Sequence, residues 1–155
     1  MKDKVFRFAK AILSDTAEAE DVTQDIFEKL WQNRGQSKPY NNLESFLIRS
    51  TRNLCLDRIK HHNVILKNSK ILSVLNNHSV DPQVEKKEVS DVIKSIIDQL
   101  PKKQKMVIHL RDVEGYEFEE ICEATGIEQN AIRVNLSRAR KTVKQELLKT
   151  MNYGL

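Results

Sequence analysis

Two stretches of helical periodicity, separated by a stretch that has none, restrict this chain to a pair of small helical modules. Val5, Phe8, Ala9 and Ile12 recur at three- and four-residue intervals, as do Ala19, Val22, Ile26 and Leu30. Such spacing collects side chains on one face of a helix. A third segment sets Leu43, Phe46, Leu47 and Leu54 on one side and Ile48, Cys55 and Ile59 on another, which predicts a helix packed on two faces. From about Asn63 to Glu88 the pattern gives way to Asn, Ser, Asp-Pro and mixed charge, the composition of a linker, although Val64 to Leu75 can form a weak helix. Val89, Val92, Ile93, Ile96, Ile97 and Leu100 then restore the helical stripe. No stretch alternates with the period of a strand. The expected fold is therefore all-α, with two small helical domains over residues 1–62 and 89–150 joined by a linker over residues 63–88.

Local punctuation divides these regions further. Ser14-Asp15-Thr16 ends one helix and starts another, which runs from about Thr16 to Asn33, its buried stripe widened by Phe27 and Trp31. Arg34 to Asn42 carries Gly, Pro and Asn without periodicity, which predicts a loop whose last residue caps a helix over about Leu43 to His61. Pro101 ends the helix before it and opens the next, which holds Met106, Val107, Leu110 and Val113 and closes at Gly115. A short helix with Phe118, Ile121 and Cys122 follows, then a turn at Gly126 and a long helix from about Gln129 to Lys149.

Composition narrows the function classes. The 155 residues are 39% hydrophobic and 31% charged, with no apolar run long enough for membrane insertion. No secretory leader pattern opens the sequence, so the expected location is cytoplasmic. Cys55 and Cys122 stand far apart, without the spacing of a disulfide framework or a zinc site, and read as small buried hydrophobes. His61, His62, His78 and His109 lack metal-ligand spacing, and there is neither a glycine-rich phosphate loop nor a nucleophile motif. The chain is accordingly not expected to be an enzyme, to hold a metal or cofactor, or to take a small-molecule substrate.

A formal net charge of +4 leans toward an anionic partner, but the order of the charges is more informative. Asp15, Glu18, Glu20, Asp21, Asp25 and Glu28 precede Arg49, Arg52, Arg58 and Lys60. The same acidic-then-basic order returns from Asp112 through Glu128 to Arg133, Arg138, Arg140, Lys141, Lys144 and Lys149. Each module thus offers one surface to an anionic polymer and another to a different partner.

Glu117 to Lys149 has the layout of a helix-turn-helix, with its turn at Thr125-Gly126-Ile127. On its second helix Ile132, Leu136, Ala139, Val143 and Leu147 share an inward arc, and Asn130, Arg133, Val134, Ser137, Arg138 and Lys141 lie opposite. Cations in such a row reach phosphates and guanine edges, and an exposed valine meets a thymine methyl. The plainer alternative is an amphipathic helix with a solvated basic face.

Leu100-Pro101, the turn at Gly126 and the run from Ala131 to Arg140 resemble region four of the extracytoplasmic-function (ECF) sigma factors, which reads the promoter's minus-thirty-five element. Ala19 to Phe27 with Leu30-Trp31 resembles sigma region two. The resemblance implies that Asp21, Gln24, Asp25 and Glu28, on one polar stripe, dock on a coiled coil of core RNA polymerase. Asn53 to Arg58 is similar to the segment that meets the minus-ten element, which assigns promoter DNA to Arg49, Asn53, Asp57 and Lys60. The preceding loop would capture a flipped base, with Tyr40 as its one aromatic, although Tyr40 can equally pack on the core and Asp57 can pair with an arginine. An anti-sigma factor is the regulator implied. The main rival is a dimeric DNA-binding regulator that uses the same helix-turn-helix.

Overall fold

The structure is a computed structural model in which residues 1–35, 40–68 and 88–153 are described. Among the described residues seven α-helices run in the order α1 (Lys2–Leu13), α2 (Thr16–Gln32), α3 (Leu43–Asn68), α4 (Val89–Asp98), α5 (Lys102–Ile108), α6 (Phe118–Thr125) and α7 (Gln129–Tyr153). There are no strands among the described residues, and the all-α expectation holds.

The helix starts follow from side chains available in the sequence. The Asp15 carboxylate accepts the backbone N–H of Glu18 at 2.9 Å, and the Asn42 side-chain amide oxygen accepts that of Ser45 at 3.1 Å. Each satisfies a donor that the first turn of a helix leaves unpaired. Between α1 and α2 the chain turns through Ser14, a non-glycine residue held at φ 55°.

In the N-terminal half, Val5, Phe8, Ala9 and Ile12 of α1 are buried together with Ala19, Val22 and Ile26 of α2 and Leu47, Ile48 and Cys55 of α3. The expected stripes are correct at these positions and overdrawn at their edges. Trp31 is 66% exposed, and Leu43 and Phe46 are also exposed. Trp31 lies in the last turn of α2, beyond the reach of α1, and finds its contact in the Arg34 guanidinium 4.0 Å from its ring centroid. The third helix continues past His61 to Asn68, so residues 63–68 are helical and exposed. The remainder of the expected linker, residues 69–87, lies outside the described residues, as do residues 36–39 of the expected loop.

The C-terminal half buries Leu100, Met106, Val107, Leu110, Ile121, Ala124, Ile132, Leu136 and Ala139. Between α5 and Gly115 the helix widens into a π turn over His109–Val113. This register change leaves Val113 exposed, contrary to its expected place in the stripe, and puts Leu110 in the core. Gly115 then reverses the chain at φ 75°. The two halves also pack on one another: α1 rests on α5 and the π turn, and α3 rests on α6.

Cys55 is buried as expected, whereas Cys122 is only partly so. Burial pushes the Cys55 thiol up to about 12, which leaves roughly one in ten thousand as the reactive thiolate at pH 8. A disulfide reagent should therefore titrate one thiol in the native protein and two after denaturation. Rapid reaction of both in the native state would contradict this packing.

Candidate nucleic-acid interface

The helix-turn-helix is assembled by local bonds. Glu117 and Glu120 form a reciprocal capping box at the start of α6, in which the Glu117 N–H donates to the Glu120 carboxylate at 2.8 Å. At the far end the Thr125 hydroxyl donates to the Ile121 carbonyl at 2.6 Å and accepts from the Ile127 N–H at 3.2 Å. Gly126, at φ 74°, makes the turn that a residue with a Cβ resists. Ile127 is buried beneath the turn and sets the angle at which α7 leaves it.

Along α7 the burial alternates as expected. Ile132, Leu136 and Ala139 are buried, Val143 and Leu147 are half-buried, and Asn130, Arg133, Val134, Ser137, Arg138 and Lys141 are all exposed on the opposite arc. The Arg133 guanidinium lies 5.4 Å from the Phe118 ring centroid, which guides it across the gap between the two helices of the motif. Arg140 leaves that arc. It clamps Asp112 with two bonds, at 2.9 and 2.5 Å, and this carboxylate raises its pKa. Arg140 therefore joins α7 to the π turn while its neighbours stay free.

The α3 residues are less uniform. Asn53, Asp57 and Lys60 are exposed along one side of the helix. Asn53 accepts from Arg52 at 3.1 Å, and Asp57 makes no ion pair among the described residues. Arg49 lies on the same side but donates to the backbone carbonyl of Glu123 in α6. Tyr40 stacks on Phe46 with ring centroids 4.3 Å apart and remains 41% exposed, so packing and a free ring face coexist.

On α2 the structure divides the polar stripe in two. Gln24 and Glu28 are exposed and line an open groove floored by Phe6, Thr23 and Phe27. Asp21 is exposed as well, but Asp25 turns toward α3 and pairs with Arg58 at 2.9 Å, beside a second link between His62 and Glu18 at 2.6 Å. Sequence reasoning missed both links. Arg58 and His62 sit on the third helix with no periodic relation to α2 that would have signalled them.

This geometry has counterparts. Residues 1–64 match the family described as sigma-70 region 2, and residues 90–143 match sigma-70, region 4. Between them the two matches take in all of the exposed arcs described above. The chain belongs to the sigma-70 family, in its extracytoplasmic-function group.

This sigma-70 family member is 28% identical over 95% of its length to the protein named "Probable RNA polymerase sigma factor RfaY" of Xanthomonas campestris pv. campestris, of which it spans 38%. It is 26% identical over 95% of its length to the ECF RNA polymerase sigma factor SigE of Mycolicibacterium smegmatis, spanning 58% of that protein. It is 25% identical to the ECF RNA polymerase sigma factor SigW of Bacillus subtilis, covering 94% of this chain and 84% of SigW. In fold it matches the sigma factor RpoE from Bartonella quintana, solved in complex with the anti-sigma factor NepR. That match has a TM-score of 0.76 at 24% identity and covers 96% of this chain and 91% of the other. Among the described residues no helix is long and apolar enough to cross a membrane.

Proposed function

We propose that this chain is an initiation factor that binds core RNA polymerase and directs promoter recognition, DNA melting and transcription initiation. The observation that carries this reading is the free polar arc of α7, Asn130, Arg133, Val134, Ser137, Arg138 and Lys141, standing on a helix-turn-helix within a matched region 4. In this reading residues 89–150 take the minus-thirty-five element through that arc. Residues 1–62 take the minus-ten element through Arg49, Asn53, Asp57, Lys60 and Tyr40, and core polymerase through Asp21, Gln24, Asp25 and Glu28. The protein acts in the cytoplasm as a binding factor and not as an enzyme, and an anti-sigma factor covers these surfaces when the response is off. The last point draws support from the Bartonella relative, whose solved complex contains such a partner.

The test is a pair of substitutions. Arg133→Ala and Arg138→Ala should each weaken binding to minus-thirty-five duplex. Loss of a phosphate contact reduces the log-log salt slope by about one, and loss of a bidentate guanine contact costs about 1–3 kcal/mol at a single base position. If both variants bind with the parent affinity at every salt concentration, α7 is not the reading helix.

A further inference from the structure

Among the cations on the outward arc of α7, one is held and the others are not. The Arg133 guanidinium lies 5.4 Å from the centroid of the Phe118 ring and makes no hydrogen bond or ion pair among the described residues. The Arg138 and Lys141 side chains are exposed and have no hydrogen bond, ion pair or ring contact among those residues. Arg140, by contrast, spends its donors on Asp112. A guanidinium drawn to a ring by the ring's quadrupole keeps its N–H donors for other acceptors. Arg133 is therefore placed without being used up.

The ring that places it is itself fixed. Phe118 is half-buried against the core and is the first residue of α6, directly after Glu117, whose reciprocal cap with Glu120 closes the helix start. A second guanidinium, that of Arg111 in the π turn, lies 5.0 Å from the same ring centroid. Arg111 is fastened in turn, donating to the Tyr116 carbonyl at 2.7 Å and to the Glu117 carboxylate at 3.2 Å. Its pairing with Glu117 offsets the repulsion between two cations that share one ring.

Ordering a long side chain is one of the costs of binding, and a side chain already ordered in the free protein avoids it. We infer that Phe118 is a positioning residue for DNA recognition, its ring preorganising Arg133 for one contact with the duplex while Arg138 and Lys141 become ordered only on binding. The inference rests on the functional reading of α7 above and extends it to a residue outside the α7 arc.

Double-mutant cycles on the full-length protein test it, with a duplex that the parent selects from a random-sequence pool as the probe. Phe118→Leu keeps an apolar side chain against the core and removes the ring. An exposed cation–ring contact is worth a factor of about 2 to 5 in an equilibrium constant. Duplex affinity should fall by that factor, and the loss should map to the same base position or phosphate that Arg133→Ala affects. In the Arg133→Ala background the same substitution should change nothing, whereas in the Arg138→Ala background it should cost its full factor. Phe118→Tyr, which keeps a ring, should bind as the parent does. In the free protein the ring current of Phe118 should displace the Arg133 Nε–H resonance, and the displacement should vanish in Phe118→Leu and persist in Phe118→Tyr. Undiminished affinity in Phe118→Leu, a loss that persists in the Arg133→Ala background, or an Arg133 resonance indifferent to the ring overturns the inference. No selected sequence, or an Arg133→Ala variant that binds as the parent does, would instead refute the reading of α7, and the Arg133 resonance would still decide whether the ring orders the arginine.

Discussion

Replacing Gln24 with alanine and Asp25 with lysine should abolish binding to core polymerase and leave the protein folded. Neither side chain belongs to the core, so the change opens no cavity: Gln24 is exposed, and Asp25 is half-buried at its pair with Arg58. That pair is open to water, with side chains 28% and 44% exposed, and such pairs contribute about 0–1 kcal/mol. For a chain of this length the loss shifts the melting temperature by about 2–4 °C at most. The new lysine sits near Arg58, and their repulsion is screened to a similar magnitude. Against a basic partner helix the consequences are larger, because close charge pairs across an interface couple by about 1.5–7 kcal/mol, and reversal adds repulsion to the loss. Thermal denaturation together with a core-polymerase binding assay checks both halves of the prediction. A folded variant that binds core polymerase as the parent does would remove α2 from the interface.

Ile132→Ala should produce the opposite pattern, with stability and DNA binding falling together. Ile132 is fully buried, on the first turn of α7, where that helix packs against α5 and α6. Truncation removes the transfer free energy of the lost atoms and leaves a void under α7, costing about 2–5 kcal/mol. Domains of this size hold only about 5–15 kcal/mol in total. Because Arg133 and Val134 follow immediately on the outward face, displacement of α7 should also misplace the groups proposed to meet DNA. Denaturant unfolding and duplex binding should report losses in parallel, whereas Arg138→Ala, on the exposed arc, should change binding with stability held within about 0.5 kcal/mol. An Ile132→Ala variant with unchanged midpoint would show that α7 is not packed as described.

What could be read from sequence was whatever depends on short-range periodicity. The stripes of α1, α2 and α7, the caps at Asp15 and Asn42 and the turn at Gly126 are set by neighbours within a few residues, and each was visible as a spacing or a residue type, whereas the expected α4 stripe is only half-buried at Val92, Ile93, Ile96 and Ile97 and leaves Val89 exposed. The exposed arc of α7 was legible for the same reason, since the buried positions of a helix define the side that remains. Trp31 and Val113 were misplaced because a stripe records which residues share a face but not where the opposing helix ends or where a π turn shifts the register. Arg58–Asp25, Tyr116–Glu44 and Arg7–Glu114 left no local trace. They join residues 33, 72 and 107 positions apart, and only the packing of the helices brings them together.

The central claim, that this chain programs core RNA polymerase for promoter recognition, is tested most directly by in vitro transcription of a promoter library with core enzyme, with and without the protein. Specific initiation from a subset of promoters sharing upstream and downstream elements should appear only when the protein is present, and should fall away with Gln24→Ala plus Asp25→Lys. Core enzyme that produces the same transcripts with or without the protein would contradict it.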